Sequence, residues 1–224
     1  MSSLSSASHA AIPLSIFFFV LFVGACAGQA PSFNDGGVDE VLDERFAVEV
    51  VEVFYGEGAG FGQEDFPDVV LGPPVGAGDG QGSIDVLSLG IGGSITLRMG
   101  KDIVDDEGAD FIVFENAFYY GQAIFSEAGR VEVSDDGDEF FAFSCAPQDP
   151  APNGCAGFAP VSTSNADDIL QEDEAEEKGG DRFDLADVGI DRARFVRITD
   201  VGGAGGADGS AGFDLDAIGV LHFD

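Results

Sequence analysis

The chain has no tryptophan among its 224 residues, and only two histidines, three cysteines and nine Lys and Arg stand against 42 Asp and Glu. Each scarcity excludes something. With nine bases under a formal charge of -33, no cationic cluster is left to meet a phosphate backbone, which sets nucleic acid aside as a partner. His9 lies in an apolar N-terminal stretch, so His222 is the one histidine of the remainder. Ser-His-Asp and Cys-His catalysis then lack an evident base, and two cysteines with one distant histidine cannot complete a tetrahedral zinc site. We expect no enzyme. No long amphipathic helical pattern runs through the chain. Together with 33 glycines, this predicts an all-β molecule rich in turns.

What is present begins with an address. The first 25 residues carry no Asp, Glu, Lys or Arg, and Ala10 to Ala25 form an apolar run ending in Val23-Gly24-Ala25-Cys26. An aliphatic residue, two small ones and a cysteine resemble the bacterial lipobox. That likeness implies a signal peptide over 1–25, a lipid on Cys26 and attachment to a membrane of the cell envelope. An ordinary signal peptide or a membrane-spanning anchor remains the alternative, since the segment lacks the usual basic start. Every one of these readings puts the rest of the chain outside the cytoplasm. Residues 26–45 read as an acidic, flexible tether, and 46–224 as one β-sandwich domain.

With Cys26 lipidated, Cys145 and Cys155 remain. They flank a loop with three prolines and a glycine, Ala146 to Gly154, and a disulfide closing that loop is the expected state in an oxidising compartment.

The domain reads as short strands: Phe46 to Phe54, Val69 to Leu71, Ile84 to Leu89, Ser94 to Met99, Asp110 to Phe118, Arg130 to Ser134, Glu139 to Cys145, Ala193 to Thr199 and Gly212 to Val220. Gly90 to Gly93 reads as a hairpin-like turn, and Asp135 to Asp138 as a hairpin turn. The glycine loop Tyr55 to Gly62 contains no G-x-G-x-x-G register and no lysine. It reads as a close approach of backbones, not a nucleotide site.

The stretch Asp110 to Phe118 organises the rest. Phe111 to Phe114 is continuously apolar, as for a strand buried on both faces, and it is bracketed by Asp110 and by Glu115-Asn116. A charge beside a core is costly unless something meets it. Two further motifs carry acids at element boundaries. Asp181, Asp184 and Asp187 are spaced for one side of a helical turn, and Asp214 and Asp216 for one side of a strand. Hard oxygens grouped in this way suit calcium. We therefore take Asp110, Glu115, Asn116, Asp181, Asp184, Asp187, Asp214 and Asp216 as candidate ligands that the fold brings to one shared spot.

Gly92 to Met99, Arg130 to Phe140, Ala193 to Asp200 and Gly212 to Val220 together resemble the galactose-binding-like jelly roll of discoidin type. The segments FENAF and GGDRFDLADVGI resemble bacterial cell-surface lipoproteins. The resemblance implies a jelly-roll β-sandwich with a structural calcium that binds a glycan or another cell-surface ligand. Without tryptophan, the aromatic platforms would be Tyr55, Phe118, Tyr119 and Tyr120. The competing expectations are an envelope lipoprotein with no specific ligand and a glycoside hydrolase working through a carboxylate pair.

Overall fold

The computed structural model describes residues 42–78, 80–149, 154–162, 179–202 and 212–224. The signal segment, Cys26 and most of the acidic run 165–180 fall outside these residues. All the elements below belong to one unit, Glu40–Asp224.

Eleven strands form the framework: β1 (Ala47–Phe54), β2 (Leu87–Ser88), β3 (Ser94–Val104), β4 (Phe111–Glu115), β5 (Phe118–Tyr120), β6 (Ala123–Phe125), β7 (Gly129–Ser134), β8 (Phe141–Ala142), β9 (Asp181–Phe183), β10 (Arg192–Asp200) and β11 (Asp214–Val220). A five-stranded sheet runs β1-β3-β10-β7-β8, and a four-stranded sheet runs β2-β11-β4-β9. All pairings are antiparallel. β5 and β6 form a separate two-stranded hairpin. The expected all-β sandwich is present.

The core lies between the two large sheets. Alternation puts Ile95, Leu97, Val131, Val133, Val196 and Ile198 of the first against Phe111, Val113, Leu215 and Ile218 of the second. Phenylalanines take the space tryptophan would fill. The Phe111 ring stacks on Phe183 at 5.3 Å, and Phe143 meets both edge-on at 5.8 and 5.0 Å. Such pairs contribute about 0.5–1.5 kcal/mol each beyond the area they bury. The other face of β4 is covered as well, because Ile112 and Phe114 pack with Val161 and Ala217. All five residues of β4 are buried, as its apolar run predicts.

Several local readings change. Val69 belongs to a 3-10 turn, Asp68–Val70, since the prolines that follow at 73 and 74 leave no room for a strand. Only Leu87–Ser88 of the expected 84–89 strand pairs. The Gly90–Gly93 turn is no hairpin, because β2 pairs with β11 while β3 pairs with β1 and β10, so the turn carries the chain from one sheet to the other. Asp181–Phe183 is a strand and only Leu185–Asp187 is helical, so Asp181, Asp184 and Asp187 do not share a helix side. In β11, Leu215 pairs with Glu115 but Ala217 with Phe114. Asp216 is therefore the extra residue of a bulge, and the two-residue alternation with Asp214 is broken. The glycine loop behaves as read: a Cβ on Gly56 would come within 2.2 Å of the Ile91 carbonyl oxygen.

Candidate metal centre

β4 has an acid at each end, about 16 Å of strand apart. At its start, Asp110 is fully buried and fully engaged. Oδ1 accepts from the Asp106 backbone N–H at 3.0 Å and lies 2.9 Å from His222 Nδ1, while Oδ2 accepts from the Leu185 N–H at 2.7 Å. Carboxylate oxygens of Asp105 and Asp184 lie within 4.8 Å of it. Asp184 is committed to a cap, accepting from Ala186 N–H at 2.8 Å. This end is a junction where one carboxylate joins the 105–110 turn, the second 3-10 turn and the chain terminus.

The far end of β4 is different. Glu115 is 1% exposed, and neither carboxylate oxygen makes a well-formed hydrogen bond among the described residues, the Asp214 backbone N–H being the one donor close enough to act on it. Burial pushes its carboxyl well above the usual range, and Asp214, Glu127 and Asp181 add repulsion. Asp214 Oδ1 and Asp216 Oδ2 are likewise buried without a donor among the described residues. Burial also raises the Asp214 carboxyl, although the Ser88 and Asn116 side chains bond to it.

Asp216 is 3% exposed. Its carboxyl is pushed to about 7 by burial, against one N–H bond at 3.0 Å from Val75. Asp181 sits in a nest of N–H donors from Gly157, Phe158 and Ala159 at 2.7, 2.9 and 3.4 Å, yet burial still lifts it to about 6. Asn116 Oδ1 accepts from Ser83 N–H at 2.5 Å, and its backbone N–H bonds to the Asp214 carbonyl at 3.2 Å.

The buried carboxylates Asp110 and Asp200, away from this end, are satisfied. Asp200, 5% exposed, accepts from Gly92 and Phe213 at 2.8 and 3.1 Å. A buried, ionised carboxylate without a donor is strongly disfavoured. Such carboxyls either hold a proton, as their raised titration favours, or need a cation to stay charged. Every candidate ligand at this end is a hard oxygen: the histidine of the described residues contacts Asp110, and Cys145 and Cys155 are joined in the expected disulfide. That donor set suits calcium and not zinc.

Of the eight expected ligands, Glu115, Asn116, Asp181, Asp214 and Asp216 lie towards this end, although among the described residues the three acids whose oxygens come within 4.8 Å of one another, and so could hold a metal ion, are Asp105, Asp110 and Asp184. Asp110 and Asp184 sit at the other, and Asp187 is exposed on the second 3-10 turn. The expected single spot is thus divided in two. Sequence reasoning missed Glu127, 3% exposed. The signal was there, in a lone acid between the small residues Ser126 and Ala128 just before β7.

The aromatic candidates divide as well. The half-buried Tyr55 packs edge-on against Phe66 at 6.4 Å and belongs to the framework. Phe118 stacks on Phe125 at 5.0 Å inside the β5–β6 hairpin. Tyr119 and Tyr120 are exposed by 47% and 80%. The hairpin begins three residues after Glu115, and residues 116–126 contain no charged side chain. A cleft of about 330 Å³ among Asp135, Phe141, Ile190, Asp191 and Arg192 lies elsewhere, its Arg192 paired to Asp135 at 3.0 Å.

Set against known proteins, the chain matches no family model and no curated protein sequence.

Proposed function

We propose that this chain is a lipid-anchored, extracytoplasmic binding module. In this reading a structural calcium ion near Glu115, offsetting the charge of Asp214, Asp181 and Glu127 around it, holds the ligand-presenting end of a galactose-binding-like sandwich. The observation that carries it is Glu115, a carboxylate buried to 99% with no well-formed hydrogen bond to either oxygen among the described residues and three more acids acting on it. The ligand is a glycan or another cell-surface component, met by Tyr119 and Tyr120 on the uncharged hairpin that leaves the metal end. Exposed tyrosine rings offer such a ligand both an apolar face and a hydroxyl. The anchor at Cys26 rests on the lipobox-like sequence.

Thermal unfolding of the protein in calcium and in chelator tests the ion. Calcium at one hundred times its Kd stabilises by about 2.7 kcal/mol, which for a domain of this size is a rise in midpoint of roughly 5–11 °C. An unmoved midpoint overturns the ion. A glycan array probed with and without calcium tests the ligand, and silence in both favours an envelope lipoprotein that binds nothing specific. A carboxylate-pair hydrolase is disfavoured by the burial of Glu115, since such acids must reach a sugar in an open cleft.

A further inference from the structure

The cleft beside the end of β7, β8 and the start of β10 has a chemistry of its own. It encloses about 330 Å³ among Asp135, Phe141, Gly189, Ile190, Asp191 and Arg192, at the small end of the roughly 300–1,000 Å³ of small-molecule sites. It belongs to the Asp110 end of the sandwich, since the Asp191 carbonyl accepts from the Asp105 N–H at 3.1 Å. Neither the carboxylates around Glu115 nor the β5–β6 hairpin line it.

Its floor is core left uncovered. Phe141 pairs with Val133 across the β7–β8 ladder and so shares a face with it. Val133 is fully buried, whereas Phe141 is 37% exposed. Ile190 is half-buried against the same core. The rim is charged and already arranged. Arg192 gives Asp135 two parallel bonds, Nε to Oδ1 at 3.1 Å and Nη2 to Oδ2 at 3.0 Å, and its Nη1 lies 3.5 Å from Asp102. Asp102 is gripped in turn by Arg194 at 2.7 and 2.8 Å. Exposed ion pairs of this kind add little stability. They do fix the rim groups before a ligand arrives, which lowers the entropy cost of binding.

The rim also narrows the ligand. An anion would face Asp135 and the exposed Asp191, and a cation would face Arg192. Neither sign is matched. Asp135 keeps further lone pairs on both oxygens, and of the five N–H donors of Arg192 it takes two. Acceptors and donors therefore stand side by side, which suits hydroxyls, since each donates and accepts at once. A pyranose carries hydroxyls around an apolar C–H face, and that face matches the open phenyl ring of Phe141.

We propose that this cleft is a saccharide-binding site, in which a neutral sugar ring lies on Phe141 and its hydroxyls bond to Asp135, Asp191 and Arg192. The proposal shares its class of ligand with the reading above but needs neither the calcium ion nor the hairpin.

The experiment is amide NMR of the full chain, titrated with the methyl glycosides of glucose, galactose, mannose, xylose, rhamnose and N-acetylglucosamine. Each is taken to about 20 mM, so that a Kd of about 1 mM is saturated. At least one glycoside should shift the amides of Phe141 and of Gly189 to Arg192, equally in calcium and in chelator. Phe141→Ala and Asp191→Asn should each weaken that binding about tenfold. Silence of these amides across the panel overturns the proposal, as do equal shifts with sodium sulfate or with cadaverine, which would make the cleft a site for charge. Shifts confined to residues 118–125 keep the hairpin contact and overturn this one. Shifts at the cleft alone do the reverse. Undiminished affinity in either variant also overturns the site, and the exposed Asp191→Asn decides should Phe141→Ala not fold.

Discussion

Asp110 and Glu115 bracket one strand, are equally hidden from water, and do opposite things. Asp110 accepts two backbone N–H groups and meets His222, so its charge is spread over three protein partners. Glu115 meets other carboxylates and no well-formed hydrogen bond among the described residues. Burial alone therefore says little about a buried acid's role, and the inventory of donors around it says much more. A fully served carboxylate is a structural joint that works in any buffer. One surrounded by its own kind stays charged only if a cation meets it, and otherwise holds a proton.

The strongest way to break that comparison is Asp110→Ala. It leaves the Asp106 and Leu185 N–H groups without their acceptor and strips His222 of its partner. The expected loss is about 3–5 kcal/mol, read by urea denaturation, and it should be the same in calcium and in chelator. A loss that depended on calcium would move Asp110 into the metal site and erase the distinction.

Glu115→Gln should behave in the reverse sense. Without calcium it replaces a carboxyl that burial favours protonated, so it removes the cost of taking up that proton at neutral pH and stabilises by about 1–3 kcal/mol. With calcium in hundredfold excess over Kd it forfeits about 2.7 kcal/mol of ion binding. Thermal unfolding in the two buffers reads the change of sign, and destabilisation in both would class Glu115 with Asp110.

The pH dependence sharpens the same point. Asp181 at about 6 and Asp216 at about 7 have folded-state values above those of an unfolded chain. The native state then holds protons that the unfolded state has released. Their contribution is complete below about pH 4 and is lost as pH rises towards 7. In calcium-free buffer the stability of the wild type should fall across that window more steeply than that of Asp216→Asn, and calcium should flatten the difference. Parallel profiles for the two proteins would remove Asp216 from the ionisable set.

Much of this was legible in the residues. Phe111 to Phe114 announces a strand covered on both faces, and the acids at its ends announce that something must meet them. The strand patterns of Arg130 to Ser134 and of Ala193 to Thr199 are equally plain, and the first pairs with its returning strand as expected. The division of the acids was not legible, because it depends on register. Asp181 faces the Glu115 end since β9 pairs with β4 through Asp181 and Val113, and spacing along the chain cannot show that. Asp216 escaped because a bulge adds one residue and so breaks the period-two rule. The β5–β6 hairpin was hidden because Phe118 to Tyr120 looked like a continuation of the strand before it, although Gly121 with its φ of 68° turns the chain back.

The disulfide tests whether the Glu115 end is held from outside the sheet. Cys145 and Cys155 are ten residues apart in sequence, so closing their loop should contribute about 2–3 kcal/mol. Directly after Cys155, Ala156 bridges to Gly129, and Gly157 to Ala159 donate to Asp181. The double variant Cys145→Ser with Cys155→Ser should therefore lose that stability in denaturant and also bind calcium more weakly. The Asp110 contacts should be untouched, as read by unchanged exchange of the Leu185 amide under native conditions. Equal loosening at both ends would mean that the bridge supports the fold in general.

Smallest in stability and most telling for function is Tyr120→Ala. The side chain is 80% exposed, and the hairpin's internal support is the Phe118–Phe125 stack, so the unfolding midpoint should correspond to a change within about 0.5 kcal/mol. Phe118→Ala is the contrasting variant, because it removes one face of that stack and should loosen the hairpin itself. If the hairpin is the contact surface, Tyr120→Ala should weaken retention on whichever array ligand the wild type binds by about tenfold, near 1.4 kcal/mol. Chelating calcium from the wild type should do the same without changing any residue at the tip. Loss by chelation with full retention by both tyrosine variants, Tyr119→Ala and Tyr120→Ala, would keep the metal end but shift the contact surface off the hairpin. Retention under all three conditions would separate ligand binding from this end of β4 altogether.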